Sequence, residues 1–188
     1  MRLLRFAVAA VTAFHCAVAA PATAAPRPYY AIGSSETIGF GVSGRSYARL
    51  VATRCGWRLY QRSEVGRPAL LSVSRMPARS VATMYVGAYD AMFARDLLAL
   101  HKPEAAVHEL RRSDAAILLP RPLLLSANGR ALSSRLKATA LRDRVSVLVL
   151  DGTELTSLDG MHPTERGQRM IAVAVERWAR ARGLCHAV

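Results

Sequence analysis

Metal chemistry has little to work with in this chain. Its five histidines and three cysteines nowhere fall at metal-ligand spacing, so no metal site is expected and no cofactor is implied. The serine elbow Gly-x-Ser-x-Gly is absent, which argues against an α/β-hydrolase. After residue 25 no segment is apolar for the roughly 20 residues that a bilayer requires, so no stable membrane span is expected in the mature chain. Lysine is nearly missing: 24 of the 26 basic residues are arginine, against 13 acids. The resulting net charge of +13 would suit nucleic acid. However, basic and aromatic residues are not interleaved and no reader motif is present, so nucleic acid is not the expected partner.

A hydrophobic content of 52% with ordinary glycine and proline describes a globular chain, and 188 residues make one domain. The first 25 residues stand apart. Arg2 and Arg5 precede an uncharged apolar stretch at 6–20, and Ala22-Thr23-Ala24 has the small-x-small form of a cleavage site. This is the layout of a secretory signal peptide, with an uncleaved anchor as its rival. It predicts an exported, periplasmic or extracellular protein whose folded domain covers 27–185. Cys16 would leave with the signal, so the mature chain keeps Cys55 and Cys185. The arginine excess favours anionic partners such as phosphate groups, acidic glycans or membrane surfaces; an arginine-biased solvated surface explains it equally well.

From Arg27 onward strand-like and helix-like patterns alternate, the signature of a parallel sheet covered by helices on both faces. Strands are expected at 29–32, 57–61, 81–86, 114–119 and 145–150, the last as a buried strand. Helices are expected near 45–55, 91–100, 104–112, 132–142 and 163–182, with Met170, Ile171, Val173, Ala174, Val175 and Trp178 as the apolar face of the last. Asp90 reads as the cap of the third-strand helix, and His101 and His108 as surface residues. The turn at 62–66 and the exit Pro120-Arg121-Pro122 fall at the carboxyl edge of the sheet.

Two segments carry chemistry. In Gly33-Ser34-Ser35-Glu36-Thr37-Ile38-Gly39 a serine leaves the first strand at the sheet edge where open α/β folds bind ligands. The same residues also make an ordinary Ser/Gly turn. Near the far end, Asp159-Gly160-Met161-His162-Pro163 puts a carboxylate three residues before a histidine. Such a carboxylate can hold Nδ1–H and leave Nε2 free to take a proton. Asp151 is a rival for that acid; the local turn favours Asp159. Pro163 suits the first turn of the closing helix.

Together the two segments resemble the SGNH (GDSL) hydrolase superfamily over residues 28–183. Residues 32–41 resemble its first block, Gly66 falls at its second-block glycine, Val86-Gly87-Ala88-Tyr89-Asp90 resembles its third, and Asp159-Gly160-Met161-His162-Pro163-Thr164 its fifth. Ser34 replaces the usual Asp, and Tyr89 stands where the family has an oxyanion-donating Asn. The resemblance implies a flavodoxin-like three-layer α/β/α sandwich with a five-stranded parallel sheet. It also implies a triad of Ser35, His162 and Asp159, with oxyanion donors from Ser35, Gly66 and Tyr89. In such a sheet the first and last helices lie side by side, bringing Cys55 and Cys185 near one another, as a disulfide or as two thiols. The expected activity is a secreted serine esterase, lipase-like, taking small acyl groups off glycans or lipids as a monomer. The alternative is a scaffold domain of weak or absent activity that binds anionic envelope components.

Overall fold

The computed structural model describes residues 25–150 and 159–185. The expected signal sequence, Cys16 and Asp151 lie outside the described residues. The sheet has five parallel strands: β1 (Pro28–Gly33), β2 (Arg58–Ser63), β3 (Val81–Tyr85), β4 (Asp114–Pro120) and β5 (Ser146–Leu150). Their spatial order is β2-β1-β3-β4-β5, so the strand order reverses beside β1. The crevice at such a switch point lies beyond the carboxyl ends of the strands.

Burial on both faces separates the core into two halves. Tyr29 and Ala31 of β1, Val81 and Tyr85 of β3, and Leu118 of β4 face one side. They pack under α2 (Tyr47–Cys55) and α7 (Glu165–Ala181). Ile32, Ala82, Met84, Ile117 and Leu119 face the other side. The helices on the second face are α3 (Ala88–Met92), α4 (Ala94–Ala99), α5 (Lys102–Leu110) and α6 (Ala127–Asp143). The buried positions of α7, Ile171, Ala172, Val175, Trp178 and Ala179, recur at helical spacing. Val173 of the expected apolar face is instead exposed.

Cys55, the last residue of α2, is bonded to Cys185, with Cα atoms 4.8 Å apart. The indole of Trp57 donates to the Leu184 carbonyl (3.1 Å) beside it. This end of the helix pair is thus closed by a covalent bond and a hydrogen bond.

Five expectations need correction. The 91–100 helix starts earlier and breaks in two at Phe93. Asp90 therefore sits inside the first turn of α3, where its carboxylate reaches back to the Gly87 N–H (3.0 Å). Helix α6 begins at Ala127, five residues before expected, because the Ser126 hydroxyl accepts the Gly129 N–H (2.9 Å) and caps it. The closing helix begins at Glu165, since the Thr164 hydroxyl accepts the Gly167 N–H (3.0 Å); Pro163 stays outside. β5 is an edge strand with Val149 exposed, not a buried central one.

Candidate active site

The turn that carries Ser35 is built by local geometry. β1 ends at Gly33, and the chain turns at once into the short helix α1 (Ser35–Ile38). Carbonyl oxygens of Ser34 and Ser35 accept the N–H groups of Thr37, Ile38, Gly39 and Phe40. Gly39 closes the turn at φ +82°, a left-handed conformation that favours glycine. Ser35 opens the helix, so its own N–H has no acceptor within the helix.

The same turn is tied to both helices of the covering layer. Gln168 of α7 is fully buried and donates from Nε2 to the Glu36 carbonyl (2.8 Å). Its Oε1 accepts the Tyr47 N–H at the start of α2 (2.7 Å). Ser34, in the position of the expected Asp, donates to the Glu64 carbonyl (3.2 Å) and so braces the loop after β2. Thr37, Tyr47, Thr83 and Tyr29 form a buried hydroxyl chain beneath, with contacts of 2.7–3.4 Å. Burial pushes the Tyr47 hydroxyl up to about 12 and those of Tyr29 and Tyr85 well above the ordinary tyrosine range. These groups stay protonated and can only act as dipoles.

Asp159 and His162 come from the turn before α7. Asp159 Oδ1 accepts the backbone N–H groups of Met161 and His162, each at 3.0 Å. Its Oδ2 lies 2.6 Å from His162 Nδ1. His162 Nε2 lies 2.8 Å from Ser35 Oγ, although 127 residues separate the two in sequence. With Nδ1 carrying its proton toward Asp159, Nε2 presents a lone pair to the serine hydroxyl. The ring of Phe40 lies across the imidazole, with centroids 4.8 Å apart. Phe40, Val42, Arg45 and Thr164 join His162 and Asp159 around a cleft of about 560 Å³.

Gly66, on the loop after β2, and Tyr89, in α3 just past the loop after β3, come together. A side chain on Gly66 would begin 3.8 Å from the Tyr89 hydroxyl, and Gly66 has φ +78°. These loops are joined from below by Asp90, fully buried, which accepts the N–H of Leu70 (3.1 Å) and of Gly87 (3.0 Å). Burial raises its carboxyl to about 7, against the pull of those backbone donors. His101 and His108 are exposed and lie outside the site.

Two groups at the site escaped the sequence reading. Gln168 is one. The other is Glu36, buried beside the nucleophile, whose Oε2 lies 3.3 Å from Ser35 Oγ. Its Oε1 accepts the Ala88 N–H (3.2 Å). Gly87 is the matching residue, because a Cβ there would collide with Glu36 Oε1. A polar residue directly after the serine was the available signal. Among the described residues no group of His, Cys, Asp and Glu could hold a metal ion, and no helix is long and apolar enough to cross a membrane.

No family model matches the chain, and no curated protein matches it. Solved structures do match. A member of the lipolytic G-D-S-L family from Veillonella parvula superposes with a TM-score of 0.65 at 17% identity, over 81% of this chain and 97% of that one. TesA gives 0.66 at 17% identity, over 84% and 99%. The psychrotrophic esterase EstA from Pseudoalteromonas sp., inhibited by monoethylphosphonate, gives 0.62 at 13% identity, over 82% and 99%. The chain shares its fold with these proteins.

Proposed function

We propose that the chain is a serine ester hydrolase of the SGNH type. The observation that carries this reading is the continuous relay from Asp159 to His162 to Ser35, at 2.6 and 2.8 Å. Ser35 Oγ attacks the ester carbonyl carbon while its proton passes to His162 Nε2. Asp159 holds the imidazole in the required tautomer and stabilises the imidazolium. His162 then protonates the departing alkoxide. Water, losing its proton to the same nitrogen, cleaves the acyl-serine and restores Ser35. The N–H of Ser35, the N–H of Gly66 and the hydroxyl of Tyr89 serve as oxyanion donors; the closeness of Gly66 to Tyr89 supports grouping them.

Among the matched structures, a lipolytic protein and an esterase support ester chemistry, with small acyl groups on glycans or lipids as the substrate class. The apolar stretch behind Arg2 and Arg5 and the Cys55–Cys185 bond support export to an oxidising compartment. The arginine excess fits an anionic carrier of the ester, acted on by a monomer. One assay decides the activity. The protein without residues 1–25 is offered short-chain p-nitrophenyl esters and a fluorophosphonate, beside Ser35→Ala. Turnover and labelling should both require Ser35. A folded protein that neither turns over ester nor takes label at Ser35 would leave the anion-binding scaffold in its place.

A further inference from the structure

Glu36 has no task in the reaction above, yet it sits closer to the nucleophile than any carboxylate of the triad. It is buried to 2% exposure, with Oε2 3.3 Å from Ser35 Oγ. No Lys, Arg or His is paired with it among the described residues; its side-chain partners are the Ser35 hydroxyl and the Ala88 N–H. It forms one wall of a pocket of about 230 Å³ shared with Gly87, Ala88, Pro120, Leu123 and Met161. None of the described residues around that pocket is basic.

A negative charge in this place works against hydrolysis of a neutral ester. It opposes the charge that develops on the carbonyl oxygen, and it repels any anionic acyl group. It also competes with His162 for the single proton on Ser35 Oγ, since both groups lie within hydrogen-bond range of that oxygen. A cation brought in by the substrate removes these handicaps. It offsets the carboxylate charge and occupies Oε2, leaving the serine proton to His162. The pocket is small beside the 300–1,000 Å³ or so of sites for larger ligands, so the group it takes is small.

We propose that Glu36 is a specificity-determining residue and that the pocket beside it takes the ammonium of an aminoacyl group, so that the substrates are aminoacyl esters of about alanyl size. The inference rests on the hydrolase reading and names its substrate class. Ser35 Oγ bonds to the aminoacyl carbonyl carbon, and the alcohol leaves with the proton carried by His162. Water then releases the free amino acid and returns a proton to Ser35.

The benzyl esters of alanine and of isobutyric acid differ only by ammonium against methyl, and provide the test. Products are measured at mildly acid pH, where the amine is charged. The unsubstituted protein should favour the alanine ester by about tenfold or more in kcat/KM, the size of one close charge pair at a partly screened site. Glu36→Gln should lower the ratio of the two kcat/KM values about tenfold or more, toward the ratio of their uncatalysed hydrolysis rates, because the α-ammonium itself activates the ester carbonyl. So should Ala91→Lys, which sets an ammonium on the wall of the same pocket and keeps the test alive if Glu36→Gln does not fold. Equal rates in the unsubstituted protein, or a preference that these substitutions leave unchanged, would overturn the assignment. If neither ester is cleaved and fluorophosphonate leaves Ser35 unlabelled, the hydrolase reading falls with it; if Ser35 is labelled and only the preference is missing, the substrate class alone falls.

Discussion

Gln168 gives the sharpest test of how the nucleophile is held. Its amide satisfies the Glu36 carbonyl and the Tyr47 N–H at once, at 2.8 and 2.7 Å, in a fully buried position. Gln168→Ala orphans both backbone groups. At about 1–3 kcal/mol for each buried group left unsatisfied, the loss is roughly 2–6 kcal/mol. Gln168→Glu is more discriminating, because its shape is unchanged. A neutral carboxyl can donate its O–H to the Glu36 carbonyl and accept from Tyr47, reproducing both bonds. An ionised one has no proton to donate and faces the carbonyl oxygen. The folded state therefore holds that proton more tightly than the unfolded chain does. The variant should come close to the parent at acid pH and lose stability as pH rises through the raised folded pKa. Urea unfolding of both proteins across pH, read as the difference in midpoint, measures this. Fluorophosphonate labelling of Ser35 should slow in parallel at neutral pH, since the serine turn has lost its tie to α7. A difference between parent and variant that does not change with pH, or stays below about 0.5 kcal/mol, the range of an inconsequential surface change, would refute the bridging role.

Asp90 should leave its own mark on stability. With its folded carboxyl raised to about 7 from 3.8, the native state keeps a proton that the unfolded chain loses. Stability should then fall between about pH 4 and pH 7 by up to roughly 4 kcal/mol and level off above; urea midpoints should show this one-proton slope in the parent and lack it in Asp90→Asn, and equal slopes would refute it. Tyr89→Phe should lower kcat by about 10²-fold, within the range for loss of one oxyanion donor. Steady-state kinetics on a p-nitrophenyl ester checks this, and an unchanged kcat would remove Tyr89 from the reaction.

The parts legible in the sequence are those with short-range signals. The Gly33–Gly39 cluster after an apolar run located the serine turn, and the three-residue spacing of Asp159 and His162 located the other half of the relay. The alternation of patterns was enough for a parallel sheet. What could not be read depends on how distant elements meet. Gln168 has helix-compatible neighbours and looks like surface until α7 is laid against α2 with that face inward. Glu36 looks like a solvated residue of a turn until the β3 loop closes over it and Gly87 leaves room. Val147 and Val149 made β5 look buried because the apolar run carries no information on which strand lies at the edge. Asp90 missed its place by one turn, because its carboxylate reaches back three residues rather than standing ahead of the helix.

The Cys55–Cys185 bond has a consequence for the order of events during biogenesis. The two sulfurs are 130 positions apart, and the stretch between them contains four of the five strands. The clasp therefore cannot close on a growing chain until all five strands have been made, and an oxidant met early finds Cys55 with no native mate. Helices α2 and α7 must find each other by packing first, with the covalent link sealing a fold already reached.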